Sequence, residues 1–111
     1  MEQFKHYLEE TYLGESCYID PEGRGWASYK IMGEECYIAH CYLAPAHRGM
    51  TLMSEICSHI EDSARASGCK FMSGSVDINS RNPERSLKMM LADGYKLGST
   101  QGTVIYLMKK L

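Results

Sequence analysis

The chain has 111 residues, 44% of them hydrophobic, with 12 Lys and Arg against 14 Asp and Glu and a formal net charge of −2. This length suits one hydrophobic core, so we expect a single domain over residues 1–111. The charge balance argues against general nucleic-acid binding, and the apolar runs fall far short of the roughly 20 residues that span a bilayer. The N-terminus has no signal-peptide pattern, which predicts a cytoplasmic protein without a membrane partner.

The cysteines predict reduced thiols rather than disulfides or a metal site. Their number, five, is odd, and no two of them form a C-x-x-C pair. His40 lies between Cys36 and Cys41, but no second closely spaced pair of ligands completes a zinc signature. We therefore expect no metal ion.

The first part of the chain predicts a helix and three antiparallel strands. Phe4 and Leu8 recur at helical spacing, and Gly14 follows as a helix-ending residue. Turn residues at 20–25 and 32–34 then separate stretches rich in β-formers. The predicted strands are 17–19, 26–31 and 35–43. The last strand is largely uncharged, so we expect it at the centre of the sheet, buried on both faces.

The middle of the chain predicts a strand, a crossover helix and a parallel strand. Pro45 ends the third strand, and an i, i+4 stripe then predicts a helix of about four turns that closes at Gly68. The stripe is Leu52, Ile56, Ile60 and Ala64. A return strand over 69–76 completes a βαβ unit, whose two strands should be parallel.

A second helix and a hairpin complete the predicted fold. Asn82 followed by Pro83 fits a helix N-cap with proline at the first helical position, and Gly94 marks the end of the helix. The stripe that this helix is expected to bury is Leu87, Met90 and Leu91. The predicted hairpin has strands at 95–97 and 103–108, a turn at 98–102 and a solvated tail at 109–110. The order of elements predicts a mixed α/β sheet.

The loop that enters the crossover helix is suited to binding an anion. Backbone N–H groups at a helix N-terminus lack intrahelical partners, and the helix dipole adds partial positive charge there. Arg48 adds a full charge, and Gly49 lets the backbone approach a ligand closely. On the loop alone, however, an ordinary strand-to-helix turn with a surface arginine is the better interpretation, because such loops are common.

Two segments together resemble the GCN5-related N-acetyltransferase (GNAT) family. Residues 43–53, Leu-Ala-Pro-Ala-His-Arg-Gly-Met-Thr-Leu-Met, resemble its cofactor loop, V-x-P-x-x-R-G-x-G-hydrophobic-G/A. Residues 82–95, which begin Asn-Pro and end Gly-Tyr, resemble its asparagine-started helix that ends in G-F or G-Y. The resemblance implies a GNAT-like acyl-CoA N-acyltransferase fold, N-terminally shortened, with two central strands that splay apart.

The resemblance also implies an activity and a set of residues. The family transfers an acetyl group from acetyl-CoA to a primary amine, so acetyl-CoA is expected as the cosubstrate and a small-molecule or protein amine as the acceptor. The exposed sheet edge leaves room for a homodimer. The implied cofactor-binding residues are Tyr42, Leu43, Arg48, Gly49, Met50, Thr51, Leu52, Met53, Asn82 and Ser86.

The catalytic residues follow less directly. His40 lies near the position where the family often has a general base, and an imidazole titrates in the right range; a histidine satisfied by core neighbours is an equal alternative. Glu35 and Asp77 are secondary base candidates, although solvated strand-end carboxylates are the better interpretation of both. Cys41, a tyrosine from another strand or solvent would protonate the departing thiolate.

Several positions depart from the family pattern. Thr51 and Met53 replace small residues of the cofactor loop, and Met90 stands where a tyrosine often acts as general acid. These departures support a second hypothesis, a catalytically inactive relative that binds protein or serves as a structural component. A third hypothesis, an unrelated α/β binding module, predicts a closed sheet between the two central strands.

Overall fold

The computed structural model describes residues 15–48 and 51–111, so the helix predicted around Phe4 and Leu8 lies outside the described residues. Within these ranges no helix is long and apolar enough to cross a membrane. The elements are β1 (Glu15–Ile19), β2 (Gly25–Met32), β3 (Glu35–Leu43), a 3-10 turn (Pro45–His47), α1 (Leu52–Ala66), β4 (Phe71–Asp77), α2 (Pro83–Ala92), β5 (Lys96–Gln101) and β6 (Val104–Lys110).

The strands form one mixed sheet in the order β1-β2-β3-β4-β6-β5. Strands β3 and β4 are parallel, and the other neighbours pair antiparallel. The strand-helix-strand unit β3-α1-β4 therefore has the predicted parallel arrangement, and the mixed α/β fold is confirmed.

Helix α1 provides the centre of the core. The predicted stripe Leu52, Ile56, Ile60 and Ala64 is buried, with Ile56 and Ile60 each 1% exposed. These side chains pack with Met72 of β4 and Leu107 of β6 in one cluster. Burial of an isoleucine contributes roughly 1.5–3 kcal/mol, so α1 is a main source of stability for the fold.

Helix α2 forms where predicted, but two details were wrong. Leu87 and Met90 of the expected stripe are only partly buried against the core cluster, and Leu91 is 45% exposed. Asn82 occupies the N-cap position with φ 56°, yet its side chain makes no capping hydrogen bond. Asparagine tolerates this left-handed conformation better than most residues.

The closing hairpin is longer and tighter than predicted. Strand β5 continues to Gln101, and the turn consists of Gly102, with φ 60°, and Thr103. Of the residues that suggested a turn at 98–102, the first four lie on an exposed edge strand. Polar side chains are favourable on both faces of such a strand, because both faces contact solvent. Lys109 is also not a solvated tail residue, because its Nζ lies 2.7 Å from Glu61 Oε1 of α1.

Strand β3 is central, but it is not buried on both faces along its length. Cys36 is fully buried, whereas the residues from His40 to Tyr42 are exposed. The cause is the pairing of β3 with β4, which covers only three pairs, from Glu35 with Phe71 to Tyr37 with Ser73. Beyond Tyr37 the two parallel strands separate.

A β-bulge accompanies this separation. Ser28 of β2 pairs with His40, while its neighbour Tyr29 pairs with Ile38, so Ala39 is an extra residue in β3. A bulge bends its strand and increases the local twist. The bend turns the second half of β3 away from β4 and opens the sheet.

Candidate functional site

The opening between β3 and β4 leads into a cleft of about 570 Å³. The cleft walls come from the end of β3, the loop and first turn of α1, and the start of α2. Its lining residues are Cys41, Tyr42, Leu43, Arg48, Met53, Arg81, Asn82, Arg85, Ser86 and Met89. The fold thus brings together six of the predicted cofactor-binding residues: Tyr42, Leu43, Arg48, Met53, Asn82 and Ser86.

Side-chain hydrogen bonds define the closed end of the opening. Ser73 Oγ donates to Glu35 Oε2 at 2.5 Å, and one step further the hydroxyls of Tyr37 and Ser75 lie 2.7 Å apart. Both bonds link β3 to β4 on the same face of the sheet, because side chains two residues apart share a face. They hold the strands together up to the point where the strands diverge.

The first turn of α1 faces the cleft with its main chain. Thr51 occupies the N-cap position, and its hydroxyl makes no capping hydrogen bond. The side chains of Leu52 and Met53 are buried beneath the helix, so these residues offer a ligand mainly their backbone N–H groups. Gly49 and Met50, two predicted cofactor-binding residues, lie outside the described residues.

Arg48 is held at the mouth of the cleft. Its Nε donates to the Leu43 carbonyl at 2.9 Å, and its guanidinium carbon lies 5.4 Å from the centre of the Tyr42 ring. Tyr42 in turn stacks on Trp26, with ring centres 6.3 Å apart. The arginine is therefore positioned by a carbonyl and an aromatic face rather than by a carboxylate, which leaves its charge uncompensated by any acidic side chain of the described chain.

Arg81 and Arg85 add positive charge that the sequence analysis did not single out. Both line the cleft, and neither has an ion pair among the residues described. Arg81 directly precedes the Asn82 N-cap and Arg85 lies in the first turn of α2, so the two arginines flank the start of the helix. Their closeness to Arg48 could not be read from sequence, because it depends on where α2 packs on the sheet.

Cys41 lies on the cleft, as the predicted site requires. The residue is exposed, yet desolvation of its thiol raises the pKa to about 11. The thiol therefore keeps its proton at neutral pH and gives it up less readily than an ordinary thiol.

His40 lies on the opposite face of β3 from Cys41. Its side chain is 56% exposed, and its Nε2 is 4.0 Å from Oε1 of Glu15, a buried carboxylate that also accepts a hydrogen bond from Ser28 Oγ at 3.0 Å. The sequence analysis missed Glu15, since only the register between β1, β2 and β3 brings it to His40. A carboxylate beside an imidazole fixes the orientation of the ring.

The two secondary base candidates do not line the cleft. Glu35 lies at the paired end of β3 and accepts the Ser73 hydrogen bond. Asp77 is exposed at the end of β4, where its Oδ1 accepts a hydrogen bond from the backbone N–H of Asn79 at 2.9 Å. In the described part of the chain, no group of three or more His, Cys, Asp or Glu side chains is arranged to hold a metal ion.

Solved structures share this fold. The PaiA N-acetyltransferase of Thermoplasma acidophilum, in complex with coenzyme A, superposes with a TM-score of 0.79 at 16% identity, covering 97% of this chain and 68% of that one. A GNAT family acetyltransferase from Elizabethkingia anophelis with acetyl-CoA bound gives 0.77 at 12% identity, covering 96% and 83%. The IAA acetyltransferase of Bacillus cereus gives 0.77 at 14% identity, covering 99% and 84%. The fold is that of acyl-CoA N-acyltransferases.

The sequence comparison identifies the family. A search of curated proteins found no match. The model of the acetyltransferase (GNAT) family, however, matches residues 1–86, and the chain belongs to this family. The third hypothesis, an unrelated module with a closed sheet, is wrong, because the strands splay and the family is shown.

Proposed function

We propose that this protein is an acetyl-CoA-dependent N-acetyltransferase that acts on a primary amine in the cytoplasm. The observation that carries the proposal is the cleft, which joins a splayed strand edge to the uncapped first turn of α1 and to unpaired arginines. Membership of the GNAT family supports the reaction type, and the relatives crystallised with coenzyme A or acetyl-CoA support the donor.

The cleft can hold the two parts of the donor by different means. The pyrophosphate would accept hydrogen bonds from the backbone N–H groups of residues 51–53, with Arg48 supplying a full positive charge. The pantetheine arm would run along residues 41–43, where β3 has no partner strand. Arg48 Nε already donates a hydrogen bond to the Leu43 carbonyl. For the pantetheine arm to pair with that carbonyl, the arginine side chain must turn away from it, toward the phosphates.

The reaction then needs positioning more than special side chains. Holding an amine next to the thioester carbonyl supplies most of the rate increase, and a backbone N–H of β3 near the bulge would polarise that carbonyl. His40 would accept the proton of the attacking amine, directly or through a water molecule. The amine nitrogen forms a bond to the acetyl carbon and loses a proton. The thioester C–S bond breaks, and coenzyme A leaves as its thiol after the thiolate takes up a proton.

Loss of the family tyrosine does not exclude this chemistry. Met90 lies over β4, with its Cε 2.6 Å from the point where a Cβ on Gly74 would be, so it occupies the space beside the opening. An ordinary thiol has a pKa of about 8.5, so a departing thiolate is protonated by solvent near neutral pH without a strong general acid. Cys41 is a weak donor by comparison, because its pKa is about 11.

A second candidate function is a catalytically inactive relative that binds protein or has a structural role. Two observations favour it. Arg48 is engaged by the Leu43 carbonyl and the Tyr42 ring, and Met90 cannot donate a proton.

Binding and turnover distinguish the two candidates. We expect titration calorimetry to show binding of acetyl-CoA and coenzyme A, and a thiol-release assay to show turnover with at least one member of a panel of polyamines, arylalkylamines and peptide amines. Binding without turnover across the panel would favour the inactive relative. Absence of binding at millimolar ligand would exclude the acetyltransferase.

A charge reversal tests the phosphate site. Arg48→Glu should weaken coenzyme A binding by at least ~1 kcal/mol, the scale of one charge-assisted hydrogen bond. Lys96→Glu makes the same change in net charge on the exposed strand β5 and should leave the affinity unchanged. Equal affinities of the two variants would show that the loop does not hold the phosphates.

A further inference from the structure

The opening between β3 and β4 has a closed end where the two strands begin to separate. The last parallel pair is Tyr37 with Ser73, and the next pair in this register, Ile38 with Gly74, is not formed. A group that enters the opening along the unpaired part of β3 reaches this closed end last. The side chains that fill the space there therefore set the length of the group that fits.

On the helix face of the sheet, Met90 fills this space. Residue 74 points to the same face as its strand neighbours Met72 and Val76, which belong to the core cluster that α1 covers. Because residue 74 is a glycine, Met90 of α2 takes the place of the missing side chain. Met90 Cε lies 2.6 Å from the point where a Cβ on Gly74 would be, and Met90 Sδ lies 3.8 Å from it. The thioether is held there because Met90 packs against the core cluster.

On the opposite face, a hydroxyl bridge bounds the same end. The hydroxyls of Tyr37 and Ser75 lie 2.7 Å apart and connect the strands at the point where pairing stops. Ser73 and Glu35 form a second such bond in the paired part of the sheet. The closed end is therefore bounded by a thioether on one face and by hydrogen-bonded side chains on the other.

We propose that Met90 restricts the acyl group of the donor to acetyl, with the Tyr37–Ser75 bridge as the opposite wall. The proposal rests on the proposed function, which runs the pantetheine arm along residues 41–43 toward the bulge, so that the acyl group points to the closed end. A longer chain, such as butyryl, would have to enter the space that Met90 Cε and Sδ occupy. One methylene in an apolar pocket changes discrimination by roughly 10–200-fold.

This role of Met90 does not need a proton. The side chain acts through its size, and the absence of a Cβ at Gly74 lets the thioether reach the opening. Removal of the thioether and addition of a methyl group at residue 74 should therefore have opposite effects on the same space.

Thiol release from acetyl-CoA and butyryl-CoA, with the best amine of the panel, tests the proposal. We expect the unmodified protein to prefer acetyl-CoA in kcat/KM by about tenfold or more. Met90→Ala should reduce this preference about tenfold, because it deletes Cγ, Sδ and Cε and leaves room for the additional carbons of butyryl. Adding Gly74→Ala to Met90→Ala should restore part of the preference, because the new methyl group occupies the vacated space.

Leu91→Ala is the matched control. It also shortens a side chain of α2, but one that is 45% exposed, so the full preference should remain. Tyr37→Ala removes the opposite wall of the closed end and should also favour butyryl-CoA. Thermal melts establish that each variant is folded before its rates are compared.

The outcomes separate this proposal from the proposed function. Equal use of both donors by the unmodified protein would overturn the role of Met90 and leave the acetyltransferase proposal intact. So would a preference that survives unchanged in Met90→Ala, or in Tyr37→Ala should Met90→Ala not fold. If the donors bind without turnover, the same comparison is made with their dissociation constants from titration calorimetry. Failure of both donors to bind would remove the proposed function and this inference together.

Discussion

The proposed mechanism assigns removal of the amine proton to His40. Its imidazole lies 4.0 Å from the buried Glu15 carboxylate, a contact that holds the orientation of the ring. We expect His40→Gln to lower kcat for acetyl transfer by roughly 10²–10⁴, the usual contribution of a general base. Coenzyme A affinity should be unchanged, because His40 does not line the cleft.

His59 provides the matched control. It lies on α1, where it stacks on Tyr18 with ring centres 4.7 Å apart, away from the opening of the sheet. His59→Gln should therefore retain kcat. A full rate in His40→Gln, measured by thiol release with the best amine, would mean that the amine loses its proton to water or to another group.

Asp20 is expected to control acid stability. Hydrogen bonds from the Arg24 guanidinium, at 2.8 and 2.9 Å, lower the pKa of Asp20 from 3.8 to about 2. A group whose pKa is lower in the folded protein stabilises the fold above its unfolded pKa. This contribution is therefore complete above pH 4 and disappears as the pH falls toward 2.

The urea midpoint measured between pH 2 and 7 tests this contribution. The unmodified protein should lose stability below pH 4, and Asp20→Asn should be less stable at neutral pH and show a flatter acid limb. Asp62→Asn is the control, because Asp62 is exposed and its contact with Arg65 is longer, at 3.4 Å. Parallel acid limbs for the unmodified protein and Asp20→Asn would contradict the assignment.

Among the elements, α1 and the βαβ unit could be predicted because one apolar stripe fixed the helix, its length and its buried face. The bulge at Ala39 could not be predicted, since nothing in a run of β-forming residues shows which residue is left unpaired. For the same reason the sequence predicted β3 as buried on both faces. An apolar pattern shows which side chains favour burial, but not whether a neighbouring strand remains close enough to bury them.

The candidate site divides in the same way. The end of β3 and residues 45–53 were found because a strand end, an arginine and a helix start follow one another in the chain. Glu15, Arg81 and Arg85 were not singled out, since their positions depend on sheet register and on the packing of α2. Local signals marked the candidate phosphate loop, and only tertiary structure shows what surrounds it.

Gly25 couples the β1–β2 turn to the end of β3. A Cβ at this position would lie 2.6 Å from both the Tyr42 carbonyl oxygen and Leu43 Cδ2. Because a backbone atom cannot move away cheaply, Gly25→Ala should push the end of β3 and destabilise the fold by about 1–3 kcal/mol, as overpacking does. Since Tyr42 and Leu43 line the cleft, coenzyme A should also bind more weakly.

Gly23 in the same turn separates the two effects. It has φ 72° and open space around it, so Gly23→Ala costs about 1–2 kcal/mol of backbone strain without a clash. We expect lower urea midpoints for both variants and weaker coenzyme A binding only for Gly25→Ala. Unchanged binding by Gly25→Ala would show that the end of β3 does not contact the donor.

At the scale of the whole molecule, the splayed sheet consists of two halves, β1–β3 and β4–β6, joined by three residue pairs and by the packing of α1.

A donor in the cleft would contact both halves and bind only the folded chain. At 100 times its Kd it adds about 2.7 kcal/mol to the free energy of unfolding. For a protein of this length that should raise Tm by about 10 °C or more in a thermal melt. Arg48→Glu should show a smaller rise at the same concentration, because it holds less ligand. An unchanged Tm at millimolar coenzyme A would mean that the two halves gain nothing from the donor, and the cleft would then lose its assignment.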